Sequence, residues 1–268
     1  MNEQFGFKAK SSTPKPNFTL INEILEALNS KKVVGGIFCN QEKAFGSVNY
    51  DILLCKLNFY GVRGPFHKLI KSYITNRYWR FLIGSKSCYH SSYLEWSKIN
   101  HGVPQGSILG PLLFLFYEND LPKIDQYNSK PTLFADDTSL IFSNPNYLDF
   151  KSTINNVFSQ LNKSFDDDLC FQIKKKLNMS ILLSKAPIGY NSNFISNSTS
   201  TKFLGVIIEN TLSWKAHIDH LLPKLCMTCY SVRTIKPFVC PENLKPTYYT
   251  YFHSLMAYGA TLHPSTHL

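Results

Sequence analysis

No stretch of this 268-residue chain is apolar for long enough to cross a bilayer. The most apolar run, Ile108–Tyr117, falls far short of the roughly 18 to 20 residues required and has Pro111 inside it, so it reads as a buried helix. The first ten residues are polar and lack the apolar segment of a secretory signal, so a cytoplasmic or nuclear location is expected, with no membrane partner spanned. Acidic residues are scarce: 18 Asp and Glu stand against 28 Lys and Arg. The resulting net charge of +10 favours a polyanionic partner such as nucleic acid or an acidic membrane surface. Cysteine is sparse and odd in number, seven residues scattered mostly through apolar stretches, as expected of reduced core thiols without disulfides. What the chain does have is core material, 44% hydrophobic and 14% aromatic, enough for one large domain or two small ones. A disordered or collagen-like protein is thereby excluded.

Ile21, Ile24, Leu25 and Leu28 recur at helical spacing and predict an amphipathic helix ending near Ser30, followed by a β-rich run from Val33 to Cys39. Asp51 is the expected N-cap of a helix carrying Leu53, Leu54 and Leu57, stopped by Gly61. Gly64-Pro65 opens another, with Phe66, Leu69, Ile70, Tyr73 and Ile74 on one face. Short strands are expected over Phe81–Gly84 and Ser92–Ile99, then a two-glycine loop, His101–Gly106, leading into a helix at Ser107. Thr132–Phe142 reads as a tight hairpin with an acidic tip. A helix through Ile154, Val157, Phe158, Leu161 and Phe165 follows, then strands near Ile181–Leu183 and Lys202–Ile208. Further helices start at Trp214, with Ile218, Leu221, Leu222 and Leu225, and after Pro241. Lys185–Ser200, rich in Asn and Ser, is expected to be a mobile loop or connection. This irregular alternation indicates an α+β fold with an antiparallel sheet.

The strongest chemical feature is the pair Asp136-Asp137 within Phe134-Ala135-Asp136-Asp137. Adjacent carboxylates at the tip of an apolar hairpin repel unless a divalent cation or a basic partner neutralises them. The plain alternative is a solvent-exposed turn. Mg²⁺ takes oxygen ligands and keeps several waters, so one or two carboxylates plus substrate phosphates suffice to hold it.

Taken with its surroundings, the pair resembles the polymerase motifs of non-LTR retrotransposon (LINE-type) reverse transcriptases. His101-Gly102-Val103-Pro104-Gln105-Gly106-Ser107-Ile108-Leu109-Gly110-Pro111-Leu112 precedes it in the family's order. Gln4-Phe5-Gly6-Phe7, Lys43-Ala44-Phe45, Val48–Leu54, Lys202–Gly205 and Trp214–Ile218 are similar to that family as well, so the likeness runs from about Gln4 to Gly259. It implies a right-hand polymerase: partial fingers over residues 1–34, a palm with an antiparallel sheet over 35–210, and a truncated thumb over 211–268. The earliest fingers motifs and an endonuclease region would lie outside this chain. The implied reaction is attack of a DNA primer 3′-hydroxyl on the α-phosphate of a dNTP, directed by an RNA template and assisted by two Mg²⁺ ions, or Mn²⁺ in their place. By the same resemblance Asp136 and Asp137 are metal ligands, Phe45 is the aromatic gate against a ribose 2′-hydroxyl, and Gln105 and Gly106 contact dNTP and template. Phe203, Leu204 and Gly205 form the primer grip.

One departure outweighs these agreements. Where the family carries a metal-bridging aspartate, three residues before Lys43-Ala44-Phe45, this chain has Asn40. An amide has a single acceptor oxygen and no charge, so it cannot bridge two dications. Losing one preorganised electrostatic contact costs roughly 10²- to 10³-fold in rate, and an impaired polymerase is therefore expected. Glu42 could substitute if the strand extends that far, about 6.6 Å farther along it. Gly46 and Tyr50 depart from the family's acid and histidine, with consequences expected for packing more than for chemistry.

Other clusters leave two readings open. Arg77 and Arg80 around Tyr78-Trp79 suit nucleic-acid contact, or a core edge with solvated arginines. Lys174–Lys176 lie near where the resemblance places a pyrophosphate-protonating Lys-Thr motif, though their neighbours match it poorly, or they form a solvated basic edge; Asp166–Asp168 read as a solvated helix end. His217, His220, Cys226 and Cys229 have zinc-compatible spacing, but the histidines share a helix with apolar residues and no loop knuckle is present. The functional alternative to polymerisation is a non-catalytic remnant that binds RNA or RNA–DNA hybrid.

Overall fold

The computed structural model describes residues 3–9, 11–41, 44–84, 91–120, 129–167, 177–182, 188–190, 193–195 and 198–260. The chain forms two compact units: one made of 1–40, 125–158 and 178–268, the other of 41–124 and 159–177. Helices and antiparallel strands share both, so the fold is α+β as expected.

The first unit is built on a four-stranded sheet. Its strands are β1 (Val33–Gln41), β6 (Ser129–Phe134), β7 (Asp137–Asn144) and β8 (Leu177–Leu182), in the order β6-β7-β1-β8. The β6–β7 hairpin turns at Ala135 and Asp136, with Ala135 at φ 55°. Helix α1 (Pro14–Asn29) lays Leu20, Ile21, Ile24 and Ala27 against Val34, Phe38 and Ile141. Each such fully buried aliphatic side chain contributes about 1.5–3 kcal/mol. A second hairpin, β11 (Ser200–Phe203) and β12 (Val206–Glu209), adds Phe203, Val206 and Ile208 to that core, with the Phe38 and Phe203 rings edge-on at 5.8 Å.

Helix α7 (Lys215–Ile235) follows Trp214, which sits in the left-handed region and supplies no cap. The Glu209 carboxylate caps it instead, accepting from Ser213 Oγ at 2.7 Å and from the Ala216 amide at 3.2 Å. These bonds hold its carboxyl below the ordinary range. Of the apolar residues at helical spacing on α7, Ile218 and Leu222 are exposed. Helices α8 (Pro241–Tyr248) and α9 (Ser254–Ala260) complete the described chain.

The second unit packs α2 (Ala44–Ser47), α3 (Tyr50–Phe59), α4 (Gly64–Ile74) and α5 (Leu109–Glu118) around Val48, Leu53, Leu57, Ile74, Val103 and Phe114. Its strands are β2 (Arg77–Trp79), β3 (Leu82–Gly84), β4 (Ser91–Tyr93) and β5 (Ser97–Ile99). The remaining elements are α6 (Tyr147–Asp167), which runs from the first unit into the second, and the short strands β9 (Ile188–Tyr190) and β10 (Asn193–Ile195).

Several expectations are corrected. Asn49, not Asp51, caps α3: its Oδ1 accepts from the amides of Asp51 at 2.8 Å and Ile52 at 3.3 Å, while Asp51 lies in the first turn. Asn outcompetes Asp here because the residue two before the helix-facing amides is the one whose extended backbone aims its side chain at them. The single strand expected over Ser92–Ile99 is two, β4 and β5, and α5 begins at Leu109 rather than Ser107, whose hydroxyl accepts from the Gly110 amide at 2.9 Å. Of the apolar face of α4, Ile74 is buried whereas Phe66 and Leu69 are exposed. Cys39 is buried, but Cys55, Cys226, Cys229 and Cys240 are exposed and are not core thiols. Within Lys185–Ser200, residues 188–190 and 193–195 form the paired strands β9 and β10 rather than a plain loop, while 185–187, 191–192 and 196–197, together with Glu42, Lys43, Cys88, Cys170 and Lys174–Lys176, lie outside the described residues.

Replacing Asn49 by Ala should remove the cap of α3 and cost about 1 kcal/mol of stability. Urea unfolding followed by far-UV circular dichroism reads this as a lower midpoint with unchanged slope.

Candidate active site

The carboxylates are held by their own hairpin. Asp136 lies in the turn and Asp137 opens β7, both half-buried. The antiparallel register of β1 against β7 sets Asn40 directly opposite Asp137, one residue from the end of β1. The position of the expected third acid and the acidic pair therefore meet on neighbouring strands.

Behind the turn, the N-terminal segment adds to the edge of β6. Leu133 pairs with Gln4 in parallel, through Phe5 N to Leu133 O at 2.8 Å and Leu133 N to Glu3 O at 2.9 Å. The buried Gln4 side chain then accepts through Oε1 from the Gly6 amide at 2.7 Å and from the Ala135 amide at 3.2 Å. A Cβ on Gly6 would lie 2.3 Å from the Ala135 nitrogen, so only glycine fits against the turn. Gln4 and Gly6 thus brace the backbone that presents Asp136. Their sequence signal was a polar residue and a glycine among Phe5 and Phe7, and spacing alone could not assign them this task.

Burial pushes the Asp137 carboxyl up to about 6, and the neighbouring Asp136 carboxylate adds to the rise. A divalent cation held by these two groups would relieve both penalties, so the donor chemistry fits one such ion. The third donor does not match: Asn40 brings no charge, and among the described residues no group of three His, Cys, Asp or Glu side chains is placed to hold a metal.

Phe45, Gln105 and Gly106 belong to the second unit. The Phe45 ring stacks on Phe114 at 4.6 Å, and its carbonyl accepts from the Val103 amide at 2.8 Å. The Gly102 amide donates to Val48 O at 2.7 Å, and Gly102, at φ 87°, approaches the Gly46 backbone too closely for any side chain. The loop that carries exposed Gln105 and Gly106 is thereby tied to the segment that carries Phe45. Arg77 and Tyr50 add to the tie: the Tyr50 hydroxyl donates to Gly102 O at 3.1 Å, and the Arg77 guanidinium donates to that hydroxyl at 2.7 Å, to Ile74 O at 3.1 Å and to Gly102 O. Arg80 is exposed and lies over the rings of Tyr93 and Trp96.

Phe203 ends β11, paired with Val206, and Leu204 and Gly205 form the tight turn to β12, at φ 45° and φ 84°. Phe203 is buried, and the Leu204 carbonyl accepts from the Tyr258 hydroxyl. His217 is buried, its Nδ1 accepts from the Ile207 amide at 3.3 Å, and burial lowers its basicity. Its place in that packing, and the exposure of Cys226 and Cys229, do not assemble the zinc site left open by spacing.

A four-stranded antiparallel sheet that presents paired carboxylates at a hairpin turn has the form of a polymerase palm. Residues 1–208 match the family described as Reverse transcriptase (RNA-dependent DNA polymerase), and the chain belongs to that family. It is 27% identical over 236 residues to a "Probable RNA-directed DNA polymerase from transposon X-element" of Drosophila melanogaster, covering 83% of this chain and 24% of the relative. It is 25% identical over 228 residues to the "RNA-directed DNA polymerase from mobile element jockey" of the same fly, covering 81% and 24%. The chain thus spans about a quarter of the length of these relatives. They bear out the likeness to reverse transcriptases of LINE-type elements. Among solved structures, apo telomerase from Candida tropicalis is similar at 13% identity and a TM-score of 0.49, over 97% of this chain and 47% of that one. No helix among the described residues is long and apolar enough to cross a membrane.

Because Asp137 titrates near 6 in the folded chain against an ordinary 3.8, the native state keeps a proton that the unfolded chain has lost between about pH 4 and pH 6. Stability should fall as pH rises through that window. Thermal melts of the chain and of Asp137→Asn across it should show the variant gaining on its parent with rising pH. A pH-independent difference between the two would contradict the assignment.

Proposed function

We propose that this chain is the polymerase core of an RNA-directed DNA polymerase whose nucleotidyl transfer is impaired at Asn40. The observation that carries the reading is the register that sets Asn40 opposite Asp137, where a third carboxylate would complete the ligand set. Asp136 and Asp137 hold Mg²⁺ or Mn²⁺, which when bound supplies charge neutralisation for a primer 3′-hydroxyl and a dNTP α-phosphate. Asn40 leaves that set one negative charge short. Phe45 stands against the sugar edge of the dNTP, and Gln105 and Gly106 meet the dNTP and the RNA template. Phe203, Leu204 and Gly205 grip the primer strand, and Arg77 and Arg80 serve nucleic-acid contact, Arg77 through the loop it braces. In this reading residues 1–34 belong to the fingers, 35–210 to the palm and 211–268 to the thumb.

Primer extension on an RNA template with dNTPs and Mg²⁺ or Mn²⁺ tests the proposal. Asn40→Asp should extend at least about 10²-fold faster than the parent chain, with Asp136→Ala at background. Equal extension by parent and Asn40→Asp would overturn the impairment. The alternative, binding of RNA or RNA–DNA hybrid without chemistry, draws on the +10 charge and would show as steeply salt-dependent binding by proteins none of which extends a primer.

A further inference from the structure

We propose that the exposed β-ribbon of residues 77–84 and 91–99 is a stacking surface for an unpaired nucleic-acid strand. The inference rests on the nucleic-acid partner of the reading above but not on its chemistry. β2 pairs with β5 and β3 with β4, and the Leu94 amide donates to Phe81 O at 3.0 Å between the two pairs. Tyr78, Trp79, Tyr93 and Trp96 are 54%, 45%, 56% and 60% exposed, and none takes part in the hydrophobic core of its unit. About half of the surface of each ring is thus left in solvent, although Trp79 meets the Phe81 ring edge-on at 4.5 Å, and a group of exposed aromatics of this kind marks an interaction surface.

Arg80 organises the surface. Its guanidinium carbon lies 4.0 Å from the centre of the Tyr93 ring and 4.5 Å from that of Trp96, a cation–π arrangement that restrains both rings before any partner arrives. Its N–H groups make no hydrogen bond or ion pair among the described residues, so they remain available for phosphate oxygens. Lys98 stands opposite Tyr78 in the register and adds a second cation. Glu95 is the one acid on the described ribbon, against Arg77, Arg80 and Lys98.

Aromatic faces interleaved with cations match a strand that offers both base faces and phosphates. An apolar protein surface would bury Arg80 and Lys98 without counter-charges, at a desolvation cost it could not offset. A duplex offers phosphates but hides its base faces, which makes the unpaired strand the fitting occupant.

The test is fluorescence anisotropy of a short labelled oligouridylate, with EDTA and no dNTP, using the full chain. Trp96→Ala should weaken binding about 5- to 100-fold, Trp96→Phe should recover most of it, and binding to an RNA duplex should not change. Arg80→Gln should reduce the salt slope by about 1, and Arg80→Lys should keep the slope while losing affinity. Thermal melts confirm that the exposed substitutions leave the fold intact. Undiminished single-strand binding by Trp96→Ala would overturn the proposal, as would an equal loss on single strand and duplex. Conversion of a dimer to a monomer by Trp96→Ala with RNA binding intact would assign the face to a second copy of the chain instead. Because no catalysis is read, primer extension failing in every variant would count against the polymerase reading and not against this one.

Discussion

The pairing of β1 with β7 is the constraint from which the candidate site follows. An antiparallel register is discrete, and a slip by one residue would turn every side chain to the opposite face of the sheet. Val34, Phe38 and Ile141 are buried in one core with α1, which allows a single register. That register leaves Asn40 against Asp137 at the strand end. The hydrophobic effect thus determines where charge is presented, although no carboxylate contributes to the core. The turn beyond it concentrates two acids in a half-buried place, where burial first and the Asp136 charge second push the Asp137 carboxyl up. Gln4 accepts the Ala135 amide of that turn, and Gly6 lies close enough to its backbone that a Cβ would clash with it.

A similar economy holds in the second unit. Phe45 and the Gln105–Gly106 loop are parts of one hydrogen-bonded assembly, in which Arg77 satisfies Tyr50 and the Gly102 carbonyl together. The Tyr50 hydroxyl bridges the loop and the arginine. Asn40, by contrast, stands opposite Asp137 in the register, and as a neutral amide it adds no charge there.

Long periodic elements and the acidic hairpin were legible in the sequence because their signals are local. Ile21 and Ile24, three residues apart, are both buried in α1, and the alternation around Asp136-Asp137 became β6 and β7. What could not be read depends on distant partners. Asn49 rather than Asp51 caps α3, a difference of two residues decided by backbone angle. Gln4 acquires its role from Ala135, 131 residues away, and Arg77 from Gly102. The stripe on α7 has helical spacing, yet Ile218 and Leu222 are exposed, since periodicity records a face and not whether anything covers it. Of the candidate site, the acidic hairpin was legible in the sequence, whereas the Gln4 and Gly6 brace behind it required coordinates.

The ligand deficit at Asn40 is tested most directly by Mn²⁺ binding, followed by electron paramagnetic resonance without nucleotide or nucleic acid. The account predicts that Asn40→Asp binds the ion at least about tenfold more tightly than the parent chain, and that Asp136→Ala in that background abolishes the gain, because each carboxylate contributes charge to one site. Equal affinity of parent and Asn40→Asp would contradict it, and would mean that position 40 takes no part in holding metal.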